Sequence, residues 1–203
     1  MKAVREAVEG ARLAGVEILT LFAFSTENWQ RPAIEVSALM SLLKHYAEQE
    51  QKELRAKGVE VRVLGELDRI DGAARAAVDR IVQATAGGQH LRLNLMISYG
   101  GREELLRAFR DIAEKLAEGV LKLEDVNEEC VESHLFTSGL PDPDLLIRTS
   151  GELRLSNFML WQLAYTEIHT TAVLWPDFTR DDFAGAVREY QRRDRRFGRV
   201  NAG

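Results

Sequence analysis

A chain of 203 residues, 45% of them hydrophobic, carries enough apolar material for one sizeable core, and we read it as a single domain over residues 1–203. Its formal net charge of −5 comes from acidic and basic residues mixed along the whole length, which excludes a nucleic-acid groove as the dominant feature. The only cysteine, Cys130, excludes an internal disulfide or a thiolate metal cluster, and no apolar run reaches the roughly 18 residues of a membrane span, so a cytoplasmic location is expected.

Val4, Ala7, Val8 and Ala11 recur at helical spacing, and Gly15 ends that helix before residues 17–24, which read as a strand. A parallel α/β sheet normally opens on a strand, so the domain's first strand is expected to precede residue 1. Ser25-Thr26-Glu27-Asn28-Trp29-Gln30-Arg31-Pro32 follows as a polar turn, with Pro32 disfavouring helix at Arg31. Residues 35–55 form a long helix with Val36, Leu39, Met40, Leu43, Tyr46, Ala47 and Leu54 on one side; His45 on it has no partner at ligand spacing. Residues 59–64 read as a strand, 70–85 as a helix ended by Gly87-Gly88, and 91–98 as a strand.

Tyr99-Gly100-Gly101-Arg102 leads into a helix over 103–116; such glycines present main-chain N–H groups to an anion, or merely make a tight turn. Residues 120–137 read as two short helices or turns, with Cys130 as buried filler. Leu145-Leu146-Ile147 reads as a short buried strand, and the segment after it gathers Arg148, Arg154 and the hydroxyls of Thr149, Ser150 and Ser156. Those groups suit a phosphate or carboxylate, and an exposed loop with an Arg148–Glu152 ion pair accounts for them equally. Residues 158–164 read as a short apolar helix and 169–175 as a last strand. Thr179 caps a helix running to about Asp194, with Asp181 and Asp182 in its first turn. The basic run 192–199 is a solvated helix end, or a contact for a phosphate or a partner subunit.

The alternation predicts an α/β fold, a parallel central sheet with helices on both faces. Arginines and hydroxyls then collect at strand exits, where ligands bind in such sheets, and a diphosphate matches their charge. Glu167 is a candidate for a hard divalent cation such as Mg²⁺, or else an ordinary salt-bridged glutamate. The signature loops of nucleotide kinases, dinucleotide enzymes, zinc proteases and α/β-hydrolases are missing, and an unrelated phosphate-ester hydrolase has no nucleophile constellation to support it.

Residues 24–32, Tyr99–Arg102, 147–152, 154–158, 161–167 and 175–178 together resemble the signature blocks of the cis-prenyltransferases, nearest those of bacterial undecaprenyl diphosphate synthases. The likeness spans nearly the whole chain. It implies condensation of isopentenyl diphosphate with a farnesyl-type allylic diphosphate to a long polyprenyl diphosphate, assisted by Mg²⁺. The product would lie in an apolar tunnel between sheet and helices, with Ala23, Leu39, Met40, Leu43, Leu91 and Leu93 as candidates for its wall or for plain core. By the same resemblance, Arg148, Arg154 and Ser156 bind isopentenyl diphosphate and Glu167 helps to hold the metal. Ser25 and Asn28 sit at the reacting centre, Trp29 packs on the prenyl and isopentenyl groups, and Arg31 contacts diphosphate or orders the loop, with Thr26 and Glu27 in the same substrate-binding turn. A homodimer is implied, touching membrane only through its product, a precursor of cell-wall carriers.

The chain departs from the pattern in places. The family's Asp-Gly-Asn-Gly-Arg-Trp-Ala loop is not in these residues, Ser98 stands where Asn commonly precedes Tyr-Gly-Gly-Arg, and Ser150 takes a usual Gly position. The expectation is an N-terminally shortened chain with impaired activity. The alternative is a non-catalytic subunit that acts by pairing with an active chain, although retention of Arg148, Arg154, Ser156 and Glu167 weighs against it.

Overall fold

The computed structural model describes residues 2–193. In chain order its elements are α1 (Lys2–Leu13), β1 (Ile18–Ser25), α2 (Ala33–Ala56), β2 (Val59–Leu64), α3 (Gly72–Thr85), β3 (Leu91–Tyr99), α4 (Gly101–Ala117), α5 (Glu128–Ser133), β4 (Leu145–Arg148), β5 (Glu167–Thr170) and α6 (Arg180–Tyr190). They gather into two compact units. One holds Ile18–Pro141 with Ser156–Trp161; the other holds the chain up to Glu17, Asp142–Leu155, and the chain from Gln162 onward.

In the first unit three parallel strands lie in the order β1-β3-β2. The middle strand is buried at every position except Arg92, as a strand bonded on both edges and covered on both faces must be, and its Leu91, Leu93, Leu95, Met96 and Ile97 meet that demand. The helix α3 makes the crossover from β2 to β3. Asp71 caps it, accepting from the N–H groups of Ala73 and Ala74 at 3.0 and 2.9 Å, and Ala74, Ala77, Val78 and Ile81 form its buried stripe. Beside it α2 buries Met40, Tyr46, Ala47 and Leu54, whereas Val36, Leu39 and Leu43 of the expected apolar face are less buried. After α3 the chain must pass against β2: a Cβ on Gly88 would lie 2.7 Å from the main-chain nitrogen of Glu60, so only glycine fits. The parallel, helix-flanked α/β class predicted by the alternation is the one observed.

In the second unit β4 and β5 pair in parallel, from Leu145 opposite Glu167 to Arg148 opposite Thr170. Here α1 packs on α6 and buries Ala3, Ala7, Val8 and Ala11, and Gly10 lets the helices close up, since a Cβ there would sit 2.9 Å from that of Phe183. The guanidinium of Arg180 grips the Glu6 carboxylate with two bonds of 2.7 Å. At the start of α6 the expected Thr179 cap is present, reciprocated by Asp182.

Several local expectations are corrected. Residues 145–147 are half-buried, because among the described residues β4 bonds to one neighbour only. Residues 158–164 form turns in place of a helix, since Ser156, Asn157 and Met159 take φ values of 52°, 62° and 44°, and left-handed residues interrupt a right-handed ladder. The last strand is Glu167–Thr170, and Trp175–Asp177 is a 3-10 turn containing Pro176, which has no N–H for a ladder. Residues Thr26–Gln30 also wind into a 3-10 turn. The last helix stops at Tyr190, and the remainder of the basic run, 194–199, lies outside the described residues.

Hydrogen bonds from Arg180 pull the Glu6 carboxyl from its usual 4.5 to about 2. Because the folded value is the depressed one, this contribution to stability is present above pH 4.5 and fades as pH falls toward about 2. Thermal melts of the parent and Glu6→Gln should therefore differ at neutral pH and converge through that acid window. A gap that stays constant across it would refute the linkage.

Candidate active site

The exits of β1 and β3 lie side by side, with Ser25 opposite Tyr99. Register slips on either side of Phe24 mark an irregularity just before Ser25, of the kind that re-aims side chains next to a site. Within the turn that follows, the Ser25 N–H donates to Asn28 Oδ1 at 3.0 Å. The Trp29 indole N–H donates to Ser98 Oγ at 2.9 Å, its ring meets Phe24 edge-on at 4.9 Å, and the Arg69 guanidinium lies 4.8 Å over its centroid. Arg31 pairs with Glu35 at 2.7 Å. Trp29, Arg31, Val36, Met40, Arg69 and Asp71 are among the residues lining a cleft of about 400 Å³. Aromatic and aliphatic walls beside two guanidiniums suit a ligand with an apolar body and an anionic head. Met40, a tunnel candidate, lines this cleft; Leu91 and Leu93 are core residues of β3, and Ala23 is exposed. Sequence reasoning missed Arg69. The available signal was its place just past the exit of β2, at the same edge as the other two exits.

The N–H groups of Gly101 and Arg102 are not presented to a ligand. Gly101 N–H donates to the main-chain oxygen of Asn157 at 2.7 Å, and Arg102 N–H donates to Asn157 Oδ1 at 2.9 Å. Of the two readings left open, the structure supports the tight turn. The Asn157 Nδ2 group then donates to Glu27 Oε1 at 2.9 Å and to Glu103 Oε2 at 3.0 Å. Burial pushes the Glu27 carboxyl up, but hydrogen bonds from Asn157, its own main chain, Ser25 and Thr26 outweigh this, leaving it below the usual carboxylate value. Glu27 is therefore an ionised, hydrogen-bonded brace of the turn. Ser156 next to this cluster is exposed.

In the second unit Arg148 ends β4, and Glu152 pairs with Arg154, whereas the exposed-loop reading had offered an Arg148–Glu152 pair. Ser150 and Gly151, at φ of 69° and 66°, reverse the chain there, and their N–H groups bond to the main-chain oxygens of Val173 and Thr171. Along the strand pair Arg148 and Glu167 stand three registers apart, about 10 Å. Glu167, at the head of β5, accepts from Arg193 at 2.9 Å, and Arg193 also pairs with Glu189, itself bonded to His169. No cluster of three or more potential metal-ligating side chains occurs among the described residues. Glu167, half-buried and paired with Arg193, would have to exchange that partner to serve Mg²⁺, which takes one or two carboxylates and completes its shell with phosphate oxygens and water. No described helix is long and apolar enough to cross a membrane.

Comparison with known proteins gives matches over nearly the whole chain. A family model described as "Putative undecaprenyl diphosphate synthase" matches residues 1–198. The chain is 50% identical over 202 residues to an isoprenyl transferase of Geobacillus kaustophilus (strain HTA426), covering all of this chain and 79% of that protein. It is 46% identical over 200 residues to one from Bacillus subtilis (strain 168), covering 98% and 77%. Among solved structures, lavandulyl diphosphate synthase from Lavandula x intermedia in complex with dimethylallyl diphosphate superposes with a TM-score of 0.93 at 34% identity, over 97% of this chain and 85% of that one. A probable undecaprenyl diphosphate synthase from Campylobacter jejuni gives 0.84 at 34% identity, over 98% and 91%.

Two substitutions test the local geometry. Ser98→Ala removes the acceptor of the Trp29 indole and is expected to cost about 1–3 kcal/mol and to shift Trp29 emission; an unchanged spectrum and melt would refute the bond. Ser150→Gly relieves a left-handed serine in an exposed turn and should stabilise the fold by on the order of 1 kcal/mol in denaturant titration, whereas a loss of stability would contradict this.

Proposed function

The chain belongs to the undecaprenyl diphosphate synthase (isoprenyl transferase) family, and on that premise we propose that it joins isopentenyl diphosphate to a farnesyl-type allylic diphosphate, giving a long, undecaprenyl-type cis-polyprenyl diphosphate. The observation that carries this reading is the cleft in which Trp29 and Met40 adjoin Arg31 and Arg69, an apolar wall beside two cations. It matches an allylic diphosphate in both parts of that molecule, and a relative of 34% identity was crystallised with dimethylallyl diphosphate. In the reaction the allylic C–O bond breaks and diphosphate departs. A C–C bond forms to the isopentenyl unit, which then loses a proton. The protein's task is to hold the two substrates in line and to offset the charge on the leaving group.

Arg31 contacts diphosphate and Trp29 packs on the prenyl chain. Ser25 and Asn28, tied to each other through the Ser25 N–H, stand at the reacting centre, and the ionised Glu27 with Thr26 braces their turn. Arg148 and Arg154, with the Ser156 hydroxyl, take isopentenyl diphosphate through bidentate guanidinium bonds. Mg²⁺, when bound, neutralises diphosphate charge, and Glu167 is the residue that helps to hold it. A homodimer, a product that serves cell-wall carriers, and membrane contact through that product belong to the same proposal.

Transfer of radiolabelled isopentenyl diphosphate to farnesyl diphosphate, with Mg²⁺ and after its removal by chelation, tests this reading. Arg148→Ala and Arg154→Ala should each raise KM for isopentenyl diphosphate by roughly tenfold or more, as the loss of a charge-assisted bond implies, while KM for the allylic substrate changes little. Unchanged KM in both variants would remove them from the site. The aspartate loop implied by the resemblance is not among these residues, so residues 1–203 alone should be nearly inactive compared with a polypeptide that also carries such a loop. If the longer polypeptide is equally silent but restores activity to a second prenyltransferase chain, the non-catalytic partner subunit is the better reading.

A further inference from the structure

We propose that Asn157 is a positioning residue for prenyl transfer, its one carboxamide fixing the Thr26–Gln30 turn against the start of α4; this rests on the function proposed above. Helix α4 begins on Gly100, which has no side chain to satisfy the first N–H donors of the helix. Nor is there room for one. A Cβ on Gly100 would fall 2.2 Å from Glu103 Oε2, 2.6 Å from Thr26 Oγ1 and 2.8 Å from Asn157 Nδ2. The cap comes instead from Asn157, which gives its main-chain oxygen to Gly101 and its Oδ1 to Arg102.

The other end of the same carboxamide separates two carboxylates. With Nδ2 donating to both Glu27 and Glu103, each N–H has an anionic acceptor, and the repulsion between the acids is offset at the point where the turn meets the helix. An amide is required here, since only an amide accepts from α4 on one side and donates twice on the other. The backbone that presents it is held in place. Asn157 lies at φ 62°, a region that asparagine tolerates better than most residues, and the next residue, Phe158, is buried and stacks on Phe22 at 4.7 Å with Tyr99 edge-on at 6.2 Å. Asn157 thus links the aromatic core of the unit to the turn that carries Ser25, Asn28 and Trp29.

The test is steady-state kinetics with isopentenyl and farnesyl diphosphates, on a polypeptide that carries these residues together with an aspartate loop. Asn157→Asp is isosteric and keeps the acceptor for α4, but brings a third carboxylate against Glu27 and Glu103. Misplacement of the turn should lower kcat by on the order of 10²-fold, with KM for isopentenyl diphosphate, whose proposed ligands lie off the turn, little changed. Asn157→Ser, which drops both donor bonds without adding charge, should show the same split, and it serves if the aspartate variant does not fold. In the double variant Asn157→Asp/Glu103→Gln the amide introduced on α4 donates to the carboxylate introduced opposite it, and kcat should recover at least about tenfold over the single variant. Wild-type kcat in both single variants, a loss confined to KM, or no recovery in the double variant overturns the proposal. If the parent makes no polyprenyl diphosphate, the proposed function has failed, and Trp29 emission, isolated by subtracting a Trp29→Phe spectrum, still decides the clamp. A shift between parent and Asn157→Asp supports it, and coincident spectra overturn it.

Discussion

The larger unit depends on β3 being bonded on both edges. A strand in that position has no face or edge left for water, so it must be apolar along almost its full length, and the run from Leu91 to Ile97 satisfies this with Asn94 as the buried polar exception. The Asn94 amide is tied to Thr20 of β1 at 3.2 Å, so even this exception is used between strands. Once β3 is fixed, parallel pairing forces the exits of β1 and β2 to the same edge as its own. The polar residues that follow these strands are brought together by topology and not by any attraction among themselves.

At that edge the backbone is unusual. Ser98, Ser156, Asn157 and Met159 adopt left-handed φ values, as does Ser150 in the second unit. Such conformations persist only where the surroundings over-determine them, and they cluster where side chains must be aimed in directions that regular strands and helices do not offer. The two departures from the family pattern at Ser98 and Ser150 fall on left-handed positions. Asn and Gly are the residues that reach this region at least cost, which explains why those types are usual there. Ser98 compensates in part by accepting the Trp29 indole proton, so a locally unfavourable residue anchors the main aromatic of the cleft.

Much of the fold was legible from period alone. β2 falls over residues 59–64 as expected, and α3 and β3 differ from expectation by a residue or two at their ends, because their apolar spacing is set by burial. The failures have a common cause. Residues 158–164 are as apolar as a short helix needs to be, and nothing in composition announces left-handed turns at Ser156, Asn157 and Met159. Likewise the apolar run at 145–147 suggests a buried strand, but burial depends on how many neighbours a strand acquires, and among the described residues β4 bonds to one. Within the candidate site, Ser25, Asn28, Trp29 and Arg31 stood out because varied polar and aromatic residue types crowd a strand exit. Arg69 was passed over because it looks ordinary within its own segment, and Asn157, although inside a signature block, was given no role because its bonding partners are remote in sequence.

By itself the sequence determined the class of the fold, the succession of strands and helices as far as α4, and a family likeness carried by Phe24–Pro32, Tyr99–Arg102 and the segment around Arg148–Phe158, since periodicity and motif are properties of neighbours along the chain. Only the tertiary structure decided which groups bond to which. It assigned the N–H groups of Gly101 and Arg102 to Asn157 in place of an anion, set Arg69 over Trp29, and gave Glu152 to Arg154 and Glu167 to Arg193. Hydrogen bonds and ion pairs act over a few ångströms in space, and the chain folding back on itself sets that distance between residues remote in sequence.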